Sequence, residues 1–130
     1  MEIMVCYDPT SENASVLDLA RKHAKAFDGK VHVATVLIGS DVDQLDHIEE
    51  AKQQLSVVET SFQDDDISIE TKLMFGGQSA GENLVDYAKD NRIDEIIIGS
   101  RKKSKLGKLI FGSTAQYVIL EAHCPVITAK

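Results

Sequence analysis

The residues best suited to chemistry lie between Gly99 and Thr114 of this 130-residue chain. Arg101, Lys102, Lys103, Lys105 and Lys108 supply five of its fourteen lysines and arginines, although the net charge is −7. A basic loop on an acidic protein suits a small anion. Gly99 and Gly112 bracket the cations, and Leu109-Ile110-Phe111 can fold the segment back onto the domain. At Gly112-Ser113-Thr114 a residue without a side chain meets the expected start of a helix, whose unpaired amides admit a phosphate. The plain structural alternative is that Ser113 caps the helix and Gly112 permits a turn.

Other chemical residues read as structural. His23, His32, His47 and His123 are scattered, with no Cys or Ser arranged beside them as a nucleophile. Asp64-Asp65-Asp66 falls between a helix and a strand and reads as a solvated turn, not a cation site. Cys6 and Cys124 lack metal-ligand spacing and read as reduced structural thiols. With no general base or nucleophile near the basic segment, catalysis has little support in the sequence. No side chain is assigned to catalysis or to a metal.

The elements that must position the segment follow from hydrophobic periodicity. Met1 to Tyr7, Val31 to Ile38, Ile67 to Phe75, Asp94 to Ile98 and Val126 to Ala129 read as strands, the third at an edge. Helical spacing begins near Glu12, near Leu45, after Ser79 and at Ser113. Gly29 is expected to give the first helix its left-handed exit. Ser79-Ala80-Gly81-Glu82 and Ser113-Thr114-Ala115-Gln116 both have the form of capping boxes.

Strict alternation with short connections predicts an α/β fold: a doubly wound open sheet of five mainly parallel strands, Rossmann-like, with helices on both faces. Ligands of such sheets collect outside the carboxyl ends of the strands where the order reverses. Asp8, the residues after Val36, and Gly99 to Thr114 belong at that end. The segment from Ile98 to Ser113 is more than twice the usual length of a strand-to-helix connection, which asks for a functional reason.

Several motifs together resemble the universal stress protein family across essentially the whole chain. Gly99-Ser100-Arg101-Lys102, nine residues, then Gly112-Ser113-Thr114 is similar to that family's ATP-binding pattern G-x2-G-x9-G-[ST], with Lys102 in place of the second glycine. Met1 to Thr10 looks like its first strand with the acidic residue after it, Ile93 to Ser100 like its I-I-x-G-S strand, and His123-Cys124-Pro125-Val126 like its C-P-V ending.

The resemblance implies an adenine nucleotide α-hydrolase-like fold that binds ATP, with magnesium alongside. Asp8 would contact the adenosine, and the main chain near Val36 would read the adenine edge. Gly99 would let the loop approach the ribose and α-phosphate, and Gly112, Ser113 and Thr114 would hold the outer phosphates. Lys102 either blocks the close approach that glycine allows or, with Arg101 and Lys105, neutralises phosphate charge. The resemblance also implies a homodimer through Val126 to Ala129.

The remaining limits come from composition. One domain spanning residues 1–130 fits the length. The acidic balance argues against nucleic acid. The absence of a long apolar run or signal-like N-terminus predicts a cytoplasmic protein without a membrane span. Neither a P-loop nor a G-x-G-x-x-G motif follows a strand. The competing reading is a dimeric stress-linked interaction protein of the same fold that binds no nucleotide.

Overall fold

The computed structural model describes residues 1–9, 14–37, 45–76, 79–100 and 111–130. Strands β1 (Glu2–Cys6), β2 (Lys30–Leu37), β3 (Ile69–Phe75), β4 (Glu95–Gly99) and β5 (Val126–Ala129) alternate with helices α1 (Ser15–Phe27), α2 (Leu45–Asp64), α3 (Ala80–Asp90) and α4 (Ser113–Glu121). The strands form one sheet in the order β3-β2-β1-β4-β5. All four pairings are parallel, as the alternation predicts. The third strand stands at an edge, as its alternating pattern indicates.

The central strands read as continuous apolar runs because helices cover both faces. Ile3, Val5, Val31, Val33 and Ile97 turn towards α1 and α2, where they pack with Val16, Ala20, Leu55 and Phe62. Their neighbours Met4, Ala34, Ile96 and Ile98 turn the other way, onto Leu84 and Ala88 of α3 and Ala115 and Val118 of α4. Period-two alternation within each strand therefore feeds two cores.

Three helix boundaries depart from the sequence reading. Helix α1 begins at Ser15, not near Glu12. Its left-handed exit is Asp28, at φ 50° and ψ 50°, and not Gly29. A short polar side chain tolerates that region, and the Gly29 N–H then returns to Ala24 O at 3.0 Å. Gly29 answers a different need: a Cβ there would lie 2.9 Å from Ile3 Cδ1 and 3.1 Å from Met1 O. Ser79 does cap α3, its hydroxyl accepting the Glu82 N–H at 3.2 Å. At α4 the N-cap is Gly112, and no side chain among the described residues caps that helix.

Asp64 ends α2 and Asp65 and Asp66 form the turn that follows. Arg21 on α1 donates through Nε to Asp65 Oδ2 at 3.0 Å and lies 4.3 Å over the Phe62 ring. The acidic run thus tethers one covering helix to the other.

Candidate functional site

Strand order reverses between β1 and β4, because the chain winds from β1 outward to β3 and then returns to β4 on the other side. The crevice of a doubly wound sheet opens at the carboxyl ends of these two strands. Every helix of a parallel α/β unit starts at that end, so amide dipoles converge there.

Asp8 lies just beyond β1. Cys6 is level with Ala34 on one side and Ile98 on the other, so the same register carried two residues further sets Asp8 level with Val36 and Ser100. The Asp8 side chain is exposed. Burial and then the Asp8 carboxylate push the neighbouring Tyr7 phenol above its usual range. Gly99, the last residue of β4, completes the floor.

The main chain at Val36 is oriented by sheet geometry. In a parallel ladder, alternate residues direct both main-chain groups to opposite neighbours. Tyr7 donates to Ala34 O at 2.8 Å, whereas Leu37 O accepts from Gly76 at 2.9 Å. Ala34 and Val36 therefore face the β1 side, and Thr35 and Leu37 face β3. Strand β1 ends at Cys6, and the carbonyl of Tyr7 takes the Thr35 hydroxyl at 2.8 Å. The N–H and C=O of Val36 are thus turned to the side where β1 has left the sheet.

On the other side of the crevice, Ser100 is tied to β5. Its N–H and its hydroxyl both donate to Ala129 O, at 2.8 and 3.2 Å. These bonds fix where the chain leaves β4. Thr35 and Ser100 are positioning residues that the sequence reading passed over. For Thr35 the signal was a hydroxyl residue in a run that is otherwise almost wholly apolar.

Gly112 adopts φ −67° and ψ 165°, ordinary extended backbone, and its carbonyl accepts the first α4 bond, from Gln116 N–H at 3.0 Å. The expected capping box is not formed. Ser113 is the first helical residue instead of the cap, and the Gln116 side chain donates to Phe111 O at 2.9 Å. The amides of Ser113, Thr114 and Ala115 precede the first intrahelical bond and point out of the helix start. An uncapped glycine start is compatible with an anion at those amides. Arg101 and Lys102, with the other cations of the segment, lie outside the described residues.

Three of the histidines, His32, His123 and His23, make contacts away from the carboxyl ends of β1 and β4. His32 is 3% exposed and sits between Tyr87 Oη, 3.0 Å from Nδ1, and Glu2 Oε1, 3.4 Å from Nε2. His123 donates through Nε2 to Ile93 O at 3.0 Å. His23 meets Glu95 at the amino end of β4. Among the described residues no group of three or more His, Cys, Asp or Glu side chains is arranged to hold a metal, and no helix is long and apolar enough to cross a membrane.

Comparison with known proteins places this arrangement among relatives. Residues 1–130 match the family model described as the universal stress protein family. A universal stress protein of Archaeoglobus fulgidus is 37% identical, with a TM-score of 0.88 over 100% of this chain and 98% of that one. A structure of the universal stress protein from the same organism in complex with dAMP is 32% identical, with a TM-score of 0.82 over 100% and 98% of the two chains. A universal stress protein of Methanocaldococcus jannaschii is 34% identical over 82 residues, 63% of this chain and 47% of its own length. The chain spans about half the length of the curated relatives it matches.

Proposed function

The chain belongs to the universal stress protein family, and on that footing we propose that it binds an adenine nucleotide at the crevice between β1 and β4, with ATP as the first ligand to test. Its role is regulatory, in a stress response, and not turnover. The observation that carries this reading is the start of α4, where the N-cap is Gly112 and no side chain among the described residues caps the first helix amides. The dAMP complex of a relative sharing 32% identity supports the same ligand class.

Each residue has a distinct part in this reading. Asp8 contacts the adenosine and the Val36 main chain reads the adenine edge. Gly99 permits close approach to the ribose and α-phosphate. Ser113 and Thr114 hold the outer phosphates with their amides and hydroxyls, and Gly112 keeps that approach clear. Arg101 and Lys102 add positive charge, and magnesium is held on the phosphates without an assigned protein ligand.

We further propose one domain for residues 1–130, in a cytoplasmic homodimer. Strand β5 pairs with β4 alone in the sheet order. A second copy covering its outer edge would remove an open strand, which is otherwise prone to uncontrolled pairing.

The test begins with heat release of any ligand from freshly purified protein, identified by chromatography. Titration of the emptied protein with ATP and magnesium follows. Co-purified ATP, or micromolar affinity that Gly112→Val abolishes, is the expected result. A protein that carries no ligand and takes up no ATP at millimolar concentration is instead a non-binding, dimeric interaction protein of the same fold.

A further inference from the structure

The outer edge of β3 carries a sequence that is complementary to itself. Strand β3 ends the sheet order, and among the described residues no strand pairs with its other side. The Val31 N–H donates to Ser68 O and the Gly76 N–H to Leu37 O, both at 2.9 Å. In a parallel ladder alternate residues serve opposite neighbours. The even-numbered residues from Ser68 to Gly76 therefore turn their main-chain groups to β2, while Ile69, Thr71, Leu73 and Phe75 turn theirs away from the sheet.

Side chains divide by face. Ile69 and Leu73 pack against the core beneath α2, and Thr71 donates through Oγ1 to Glu59 of that helix at 3.4 Å. Glu70 and Lys72 stand on the opposite face, both exposed. Glu70 accepts from Lys30 Nζ on Oε2 at 2.9 Å. Lys72 forms no salt bridge among the described residues.

An antiparallel copy of Ile69-Glu70-Thr71-Lys72-Leu73 laid along this edge, with Thr71 opposite Thr71, sets Ile69 against Leu73 and Glu70 against Lys72, each twice. The hydrogen-bond phase agrees. The odd-numbered residues meet as bonded pairs, and the Glu–Lys pairs fall at the closer, non-bonded positions. Centring the pair on Lys72 would instead oppose that lysine to its own copy, and like charges directly opposite are unfavourable. A lone edge lysine discourages a second strand, whereas these unlike charges two residues apart favour one in a single register.

We propose that the free edge of β3 is an interaction surface for a second copy of this chain, which joins it antiparallel about Thr71 and extends the sheet. The contact is separate from the one proposed at β5, on the opposite edge. Copies using both edges would grow into a row instead of stopping at a dimer.

Sedimentation velocity over a concentration series of the full chain tests the pairing. Wild type should show an association step that Glu70→Lys and Lys72→Glu each weaken at least about tenfold, because either substitution sets like charges opposite one another twice. An equimolar mixture of the two variants should regain the step, since a wholly basic edge then meets a wholly acidic one. Register is read separately. Mild oxidation should join Thr71→Cys into a covalent dimer far faster than Phe75→Cys, because bonded antiparallel pairs hold Cα atoms about 5.5 Å apart, within disulfide reach. A wild type without the step, single variants that associate as wild type does, or a mixture no stronger than its components overturns the proposal. Equal cross-linking of the two cysteine variants does so too.

Discussion

His23 Nδ1 lies 2.5 Å from Glu95 Oε1, joining the middle of α1 to the first residue of β4. Glu95 is 7% exposed in a strand whose next three residues are isoleucine. A carboxylate there depends on a partner, since an unpaired buried charge is costly. The pair fixes α1 over β1 and β4, the two strands that flank the crevice, and Phe27 closes on the His23 ring edge to face at 5.9 Å.

Removing the imidazole should therefore cost more than its size suggests. His23→Leu is expected to destabilise by about 2 kcal/mol, read as a lower urea midpoint with unchanged slope. The double variant His23→Leu with Glu95→Met should recover part of that loss. A single variant as stable as wild type would show that water already satisfies Glu95.

Adjacent residues Asp28 and Gly29 should respond in opposite directions. Asp28 holds φ at 50°, so Asp28→Gly relieves a left-handed side chain and should stabilise by up to about 1 kcal/mol. Gly29→Ala drives a methyl to 2.9 Å from Ile3 Cδ1 and 3.1 Å from the Met1 carbonyl. That substitution should destabilise by about 1–3 kcal/mol. Thermal melts of the two variants suffice, and the same sign for both would contradict the assignment of the exit residue.

Helices α3 and α4 meet at Gly81, where a Cβ would come within 2.7–2.9 Å of the Tyr117 side chain, including its Cβ. Alanine improves helix propensity by about 1 kcal/mol. The clash should reverse that gain in Gly81→Ala, lowering the melting temperature. Combining it with Tyr117→Gly, which also removes the Cβ, should raise stability above that of Tyr117→Gly alone. The gain appears only if contact with Tyr117 is what selects glycine.

Both cysteines are free, and the native fold should protect them. Burial, and secondarily Cys124, pushes the Cys6 thiol up to about 12. Burial, then Asp94 and Glu95, raises Cys124 as well. The thiolate is the reactive form, so at pH 8 labelling of Cys6 by a thiol-specific reagent should run at least about a hundredfold slower in native than in urea-unfolded protein. The native rate should climb with pH throughout the range up to 12. Rapid native labelling at pH 8 would mean that the sulfur of the half-buried Cys6 is not shielded by the fold.

Much of the fold is legible in the sequence because its signals are local. Apolar runs bounded by turn residues mark the strands, 3.6-residue spacing marks the helices, and their strict alternation dictates a parallel sheet wound on both faces. That plan alone puts Asp8, Val36, Gly99 and Gly112 at one end of the sheet, since every strand-to-helix connection emerges there. The serine before α3 caps it because the cap depends on three neighbouring residues.

Tertiary structure decided what depends on contacts across long stretches of chain. Glu95 sits in a buried strand because His23, 72 residues away, reaches it. Thr35 turns its hydroxyl to Tyr7 because two strands part company at that row. Gly29 is glycine because of Ile3 and Met1, while the left-handed turn that glycine ordinarily marks falls to Asp28. Gly112, not Ser113, became the cap of α4, with no side chain among the described residues on its first amides. Local propensity names the elements, but which polar groups end up satisfied depends on how distant elements pack, and that accounting is made only in the folded chain.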